Sequence, residues 1–234
     1  MPVSAKALAR PRMGTRGRPE QTRATILRAA IRAFAEEGLA GARTEAIAHT
    51  AGVNKALLYY YFEDKDALYG AVLDEVFGGL AITVHAALSL PLPPRERLLR
   101  FAGAHFDYIT GNPMFPQIVH GEMTMAHHQK SKHFDRLIKQ YFRPTFSRVT
   151  ALVQEGMAKG EFRRVDPPHF VPLMISSIAV HLKNALLMKA ITGIDMTTPE
   201  FLSGRRAAML DFISAALFTK SAETNHKSLE VSRR

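Results

Sequence analysis

The stretch 44–62, TEAIAHTAGVNKALLYYYF, constrains the fold more than any other part of this chain. Thr44 stands where a helix N-cap is wanted, its hydroxyl able to take up a free backbone N–H, and Glu45 in the first turn suits the positive end of the helix dipole. Ile47, Ala48 and Ala51 give that helix a narrow apolar face, with Ala48 small enough to let a second helix cross closely. Gly52 tolerates the positive φ of a sharp turn, Val53 can plug the corner, and Asn54 can cap the next helix. Over 55–62, Leu58 and Phe62 are four apart and point inward together. Successive helical residues rotate by about 100°, so Tyr59, Tyr60 and Tyr61 fan over roughly 200° and cannot all be core. Ala56 and Tyr60 lie opposite the inward pair. An outward surface of a lysine, a small residue and phenols suits a DNA groove: ammonium and hydroxyl groups donate to phosphates and base edges, and ring faces press on sugars and thymine methyls. Three tyrosines in a row are more often packing than recognition. Placed one helix after a glycine turn, they follow the plan of a DNA-reading helix-turn-helix.

The charge distribution points the same way. The chain carries 31 Lys and Arg against 21 Asp and Glu, a net +10, and residues 1–62 hold ten of the basic side chains but only four acidic ones. A positive field concentrated in this first quarter suits a polyanion. Residues 1–19 place five basic groups among Pro2, Pro11, Gly14, Gly17 and Pro19 with no hydrophobic period, and read as a flexible arm. Such an arm either lies in a minor groove beside the reader or only solubilises the chain. Without cysteine in its 234 residues, the protein has no disulfide, thiolate metal site or thiol switch. The absence of a signal-like apolar run near residue 1 makes a cytoplasmic location the expectation. The apolar stretch 170–194 is interrupted by His181, Lys183, Asn184 and Lys189, which a bilayer span should not carry, so no membrane partner is expected.

The segment from Thr22 to Leu68, TRATILRAAIRAFAEEGLAGARTEAIAHTAGVNKALLYYYFEDKDAL, resembles the N-terminal DNA-binding domain of the tetracycline-repressor (TetR) family of bacterial transcriptional regulators. The likeness runs at unbroken spacing through Ile26, Leu27, Ala30, Phe34, Gly38, Thr44, Ile47, Ala48, Ala51, Gly52, Val53, Leu58, Tyr59, Phe62 and Lys65. It implies that Thr44 and Tyr61 touch phosphates, as does Lys65 at the start of the next helix. Asn54, Lys55, Ala56 and Tyr59 match positions that face base edges, and Tyr60 an aromatic that packs near the groove. Leu57 departs from the pattern, standing where Thr or Ser is common. It exchanges a hydroxyl contact for an apolar one to a thymine methyl. Glu63 and Asp64 bring negative charge close to DNA, offset by the dipole of the helix they open.

The remaining sequence is helical by pattern and has no strand-like alternation. A supporting helix is expected over 20–37, with Leu27, Ala30, Ile31 and Phe34 inward and Gly38 as its stop. A long helix comes next over 64–90, broken by PLPP at 91–94, then helices over 95–110 and 114–127. Another spans 132–159 with Pro144 as a kink, and Asp166 opens one that ends near Thr192. Thr198 opens the last, over 199–218. The expected architecture is all-α: an arm over 1–19, a three-helix helix-turn-helix DNA-binding domain over 20–66, a helical ligand-binding and dimerisation domain over 67–220, and a polar tail over 221–234.

Two of these later helices are apolar around most of their circumference, through residues such as Leu173, Met174, Ile178 and Leu186 in one and Phe201, Met209, Phe212 and Leu217 in the other. They are either intramolecular core or halves of a four-helix interface with a second copy. A reader that needs two half-sites favours the homodimer. Phe101, His105, Tyr108, Met123, Tyr141, Phe142, Met174, Ser177 and His181, with Phe115 and Met125, offer soft apolar walls and a few polar tips. Singly each reads as core; the TetR resemblance implies that some of them enclose an inducer. His120, Glu122, His127, His128 and His133 crowd together in sequence, but no HExxH spacing or cysteine assists them, so neither a metal nor another cofactor is expected. With no glycine-rich phosphate loop, GxSxG or matched acid–base pair, catalysis is not expected either. The function expected is a dimeric repressor of a near-palindromic operator in double-stranded DNA, released by a small apolar or amphipathic effector. The alternative is a ligand-independent regulator or an activator using the same reader.

Overall fold

The computed structural model describes residues 19–219, apart from the side chains of 180–183. The arm expected at the start, but for Pro19, and the tail expected over 221–234 lie outside the described residues. The helices are α1 (Pro19–Gly41), α2 (Thr44–Thr50), α3 (Lys55–Tyr61), α4 (Lys65–Leu88), α5 (Pro94–Gly111), α6 (Phe115–His127), α7 (Phe134–Leu137), α8 (Arg143–Ala158), α9 (Pro167–Lys183), α10 (Ala185–Thr192) and α11 (Pro199–Leu217), with a π-turn over Ile138–Phe142. Among the described residues the only β-type pairing is an isolated antiparallel bridge between Phe162 and Phe218. The protein is all-α. Its chain divides into two compact units, one running to Val76 and including 117–131, the other made of 77–116 and the residues from 132 onward.

In the first unit, α1 buries Leu27, Ala30 and Phe34 of the expected stripe together with Ile26, while Ile31 is half-buried. Gly38 breaks the helix at φ 69°, ψ 175°, an extended positive-φ conformation open to glycine rather than the left-handed helical cap expected, and three further residues resume a helical course to Gly41. Gly52, at φ +68°, turns the chain between α2 and α3, where the N–H of Val53 closes back onto the Ala48 carbonyl at 2.9 Å. Asn54 caps α3 by accepting from the Leu57 N–H at 2.8 Å, and Asp64 does the same for α4 through Ala67 at 2.7 Å. Thr44 is not the cap expected of it. Arg43 occupies the N-cap of α2 without a side-chain bond, because Thr44 lies one residue inside the helix and its hydroxyl is engaged elsewhere. Behind these helices Phe34 meets Tyr69 edge to face at 5.1 Å, and the Tyr69 hydroxyl donates at 3.1 Å to the fully buried carboxylate of Glu122, which Ser131 also holds.

The second unit has its own core, in which Leu98, Phe101, Phe106 and Ile109 of α5 meet Val149, Leu152 and Val153 of α8, Val171, Met174 and Ile178 of α9, and Met209, Ile213 and Leu217 of α11. The helix expected over 132–159 with Pro144 as a kink is divided into α7, the π-turn and α8. Pro144 has no N–H for the Gln140 carbonyl, and the chain absorbs the mismatch as a π-turn, in which the Arg143 N–H reaches back to Ile138. The helix expected to run from Asp166 to Thr192 is two: the backbone leaves helical geometry at Asn184 (φ −101°, ψ 5°), a residue whose side chain competes with the helix ladder. Thr198 caps α11 by accepting from the Phe201 N–H.

By length and composition alone α4 would cross a bilayer, and it is the only described helix that would. Its Leu68, Val72, Leu73, Val84 and Leu88 are instead buried within the protein.

Candidate nucleic-acid interface

Local sequence sets the attitude of α3. Leu58 is fully buried and Phe62 nearly so, with the Arg23 guanidinium 5.2 Å above the Phe62 ring. These anchors turn Lys55, Ala56 and the neighbouring phenols outward: Tyr60 is 78% exposed and Tyr59 37%. Leu57 and Tyr61 are half-buried on the flanks, and the Tyr61 ring stands edge-on to Tyr60 at 5.3 Å. Asn54 is exposed, its side-chain oxygen committed to the cap.

Two side-chain bridges tie this helix to α2. The hydroxyls of Thr44 and Tyr59 share a hydrogen bond of 3.1 Å, although Thr44 is itself buried. Beside it the Lys55 ammonium donates to the Glu45 carboxylate and sits 5.7 Å from the centre of the Tyr59 ring. The Lys55 hydrogen bond is the first cause holding the Glu45 carboxyl below its usual range, and the same bond raises the Lys55 ammonium. Both side chains are exposed, so the pair adds little to stability. Lys65 is half-buried and donates to the Ala40 carbonyl at 3.1 Å, which fixes the start of α4 to the end of α1. Of the residues named from the sequence, Thr44, Asn54, Lys55, Ala56, Leu57, Tyr59, Tyr60 and Tyr61 thus gather on α3 and the facing end of α2. Glu45 was read from the sequence only as a dipole partner. The signal for its second role is an opposite charge ten residues away, across a turn of known handedness.

The segment that carries these two helices and their glycine turn is shared with known proteins. Residues 26–72 match the bacterial regulatory proteins of the tetR family, and residues 94–213 match the tetracyclin repressor-like C-terminal domain. The chain belongs to the tetR family. It is a DNA-binding transcriptional regulator. It is 29% identical over 199 residues to the transcriptional repressor NicS of Pseudomonas putida, covering 83% of this chain and 90% of that one. It is 40% identical over 93 residues to the transcriptional repressor SCO4008 of Streptomyces coelicolor, covering 37% of this chain and 45% of that one. The fold is shared with the putative transcriptional regulator SCO4942 of Streptomyces coelicolor, at a TM-score of 0.63 and 23% identity over 84% of this chain and 98% of that one.

Most of the other sequence-named residues fall in the second unit. Phe101 and His105 are buried on α5 with ring centres 5.9 Å apart. Tyr108 stands edge-on to Phe115 at 5.9 Å, and Phe77 lies 5.2 Å from Phe142 and 6.1 Å from Phe115, so these rings form one aromatic group. The Tyr141 hydroxyl accepts from Gln140 at 3.0 Å. Met174 is buried and Ser177 donates to its carbonyl at 2.7 Å. Met123 is half-buried in the first unit, and the side chain of His181 lies outside the described residues. The Nδ1 atom of His105 is buried with no protein partner, and desolvation lowers the imidazole to a pKa of about 4. A groove of about 430 Å³ in this unit is lined by Leu90, Leu99, Arg100, Asp107, Arg206 and Leu210 and by none of the sequence-named residues. Among the described residues no three His, Asp or Glu side chains converge as metal ligands.

Proposed function

We propose that this protein represses transcription as a homodimer on a near-palindromic operator and is released by a small apolar or amphipathic ligand. The observation that carries the reading is α3, anchored by Leu58 and Phe62 so that Lys55, Ala56, Tyr59 and Tyr60 stand outward on a helix of major-groove size. Asn54, Lys55, Ala56, Leu57 and Tyr59 meet base edges; Thr44, Tyr61 and Lys65 meet phosphates, and Tyr60 packs along the groove wall. The names of NicS and SCO4008 support repression over activation. Since a protein of this kind works on DNA, its place is the cytoplasm.

A second copy supplies the second half-site, and the exposed apolar residues of α9, α10 and α11, Leu173, Leu186, Ile191 and Phe212 among them, are the surface it covers. The effector is bound in the domain over 67–220. His105 supports this, because a buried polar atom without a partner is costly until a ligand supplies one. α4, a continuous helix that runs from the first unit into the second, carries the change to the reader and alters the separation of the two α3 helices. Two half-sites recur about 34 Å apart, so a change of spacing mismatches the grooves.

The test is a duplex selected from genomic fragments by the purified protein, followed by titration of variants. Lys55→Ala and Tyr59→Phe should each weaken that duplex by about 1–3 kcal/mol, while Lys65→Ala should weaken all sequences alike and flatten the salt dependence by about one unit of slope. Undiminished affinity in both Lys55→Ala and Tyr59→Phe would remove α3 as the reader.

A further inference from the structure

The two bridges between α2 and α3 have a regular geometry. Consecutive residues of α2, Thr44 and Glu45, each hold one of two residues of α3 that are a helical turn apart, Tyr59 and Lys55. The fold does not need the charged bridge, because Ile47 and Ala48 of α2 and Leu58 of α3 are already buried and an exposed ion pair contributes little. What the bridge does determine is where the Lys55 charge can go.

A lysine ammonium is a mobile point charge on a four-carbon stem, and phosphates are the nearest acceptors on any duplex. Non-specific affinity is the sum of such contacts. We infer that Glu45 is a positioning residue that sets discrimination between operator and other DNA, by withholding the Lys55 ammonium from phosphates while leaving it able to reach a base edge. The inference rests on the reading of Lys55 as a base-edge contact. A phosphate that shares the Lys55 ammonium with Glu45 is repelled by the carboxylate, and one that draws the ammonium away leaves that carboxylate facing the polyanion. To reach a base edge, Lys55 need not leave: an ammonium has three donors, and one can stay on Glu45 while another meets the base. The Thr44–Tyr59 bond holds the Tyr59 ring beneath the charge.

Four proteins test this: wild type, Glu45→Gln, Lys55→Ala and the double variant, each titrated by fluorescence anisotropy against the selected duplex and a scrambled duplex of the same composition across a salt series. Glu45→Gln should tighten the scrambled duplex about two- to fivefold, the scale of one exposed ion pair, and steepen its salt dependence by about 0.9 in slope, the signature of one added phosphate contact. The selected duplex should gain less, so the specificity ratio falls. In the Lys55→Ala background Glu45→Gln should gain only the relief of the carboxylate's own repulsion, a smaller effect that is the same for both duplexes. An unchanged ratio and slope in Glu45→Gln overturns the inference, as does an equal gain with Lys55 absent, which would make Glu45 a bare repulsive charge. Full affinity of Lys55→Ala for the selected duplex removes the base-contact reading and the inference with it. A normal loss there beside an unchanged Glu45→Gln ratio overturns the inference alone.

Discussion

Two short helices of this protein, α3 with seven residues and α10 with eight, solve opposite problems with similar lengths. Neither is long enough to be stable alone in water. α3 is held by its own chain: Asn54 caps it, Leu58 and Phe62 anchor it, and Thr44 and Glu45 grip its outer side chains. α10 buries none of its residues, and its Leu186 is 83% exposed. What α3 leaves outward is a lysine and phenols; what α10 leaves outward is leucine and isoleucine. A polar exposed face suits a hydrated polyanion, whereas an apolar exposed face suits another apolar surface.

The contrast can be broken first at α10. Leu186→Glu puts a charge into each half of the proposed two-fold interface, and burial of a leucine contributes about 1.5–3 kcal/mol per copy, so dimer affinity should fall by roughly 100-fold or more. Sedimentation at micromolar protein would show it. An intact dimer with Leu186→Glu would mean that α10 is not at the interface, and the comparison with α3 would lose its functional half.

The next test sharpens the other side. Leu58→Ala removes a fully buried anchor and should cost about 2–5 kcal/mol of stability in denaturant unfolding. Leu187→Ala on α10 should leave monomer unfolding almost unchanged, since that side chain is exposed. Equal losses at both positions would erase the distinction between a helix held by its own chain and one that waits for a partner.

The smallest effect contrasts the hydrated groups of the reader with the interior of the second unit. His105 is buried and its pKa is lowered from 6.5 to about 4, so between these values the unfolded chain binds a proton that the folded chain does not. Stability is therefore complete above pH 6.5 and is lost as pH falls toward 4, by up to about 3 kcal/mol. His105→Phe should flatten that part of the pH–stability curve. An unaltered curve would show that the imidazole is hydrated in the folded state and is no candidate for binding an effector.

How far these features are legible in the sequence depends on the range of the interactions behind them. Gly52, Asn54 and Thr198 were readable because a cap or turn involves residues three or four apart. Leu58 and Phe62 were readable because helical periodicity places them together. Thr44 was misread at the same range: as a helix start it has the right chemistry, but a hydroxyl fifteen residues away outcompetes a backbone N–H for it. Pro144 and Asn184 show the next limit, since a proline can be absorbed as a kink or a π-turn and an asparagine carried or expelled, according to what the neighbouring helices accommodate.

By itself, then, the sequence determined the all-helical fold, the glycine turn and the side of α3 that faces outward, because each arises from backbone preferences and spacing within a few residues. Only the tertiary structure decided that Glu45 meets Lys55, that Thr44 meets Tyr59, and which residues of the apolar helices enter the core. Met174 and Ile178 of α9 do so while Leu173 stays outside, and Met209 and Ile213 of α11 do so while Phe212 stays 61% exposed. A helix that is apolar all round offers no periodicity to choose a face, and the choice falls to packing with helices distant in the chain.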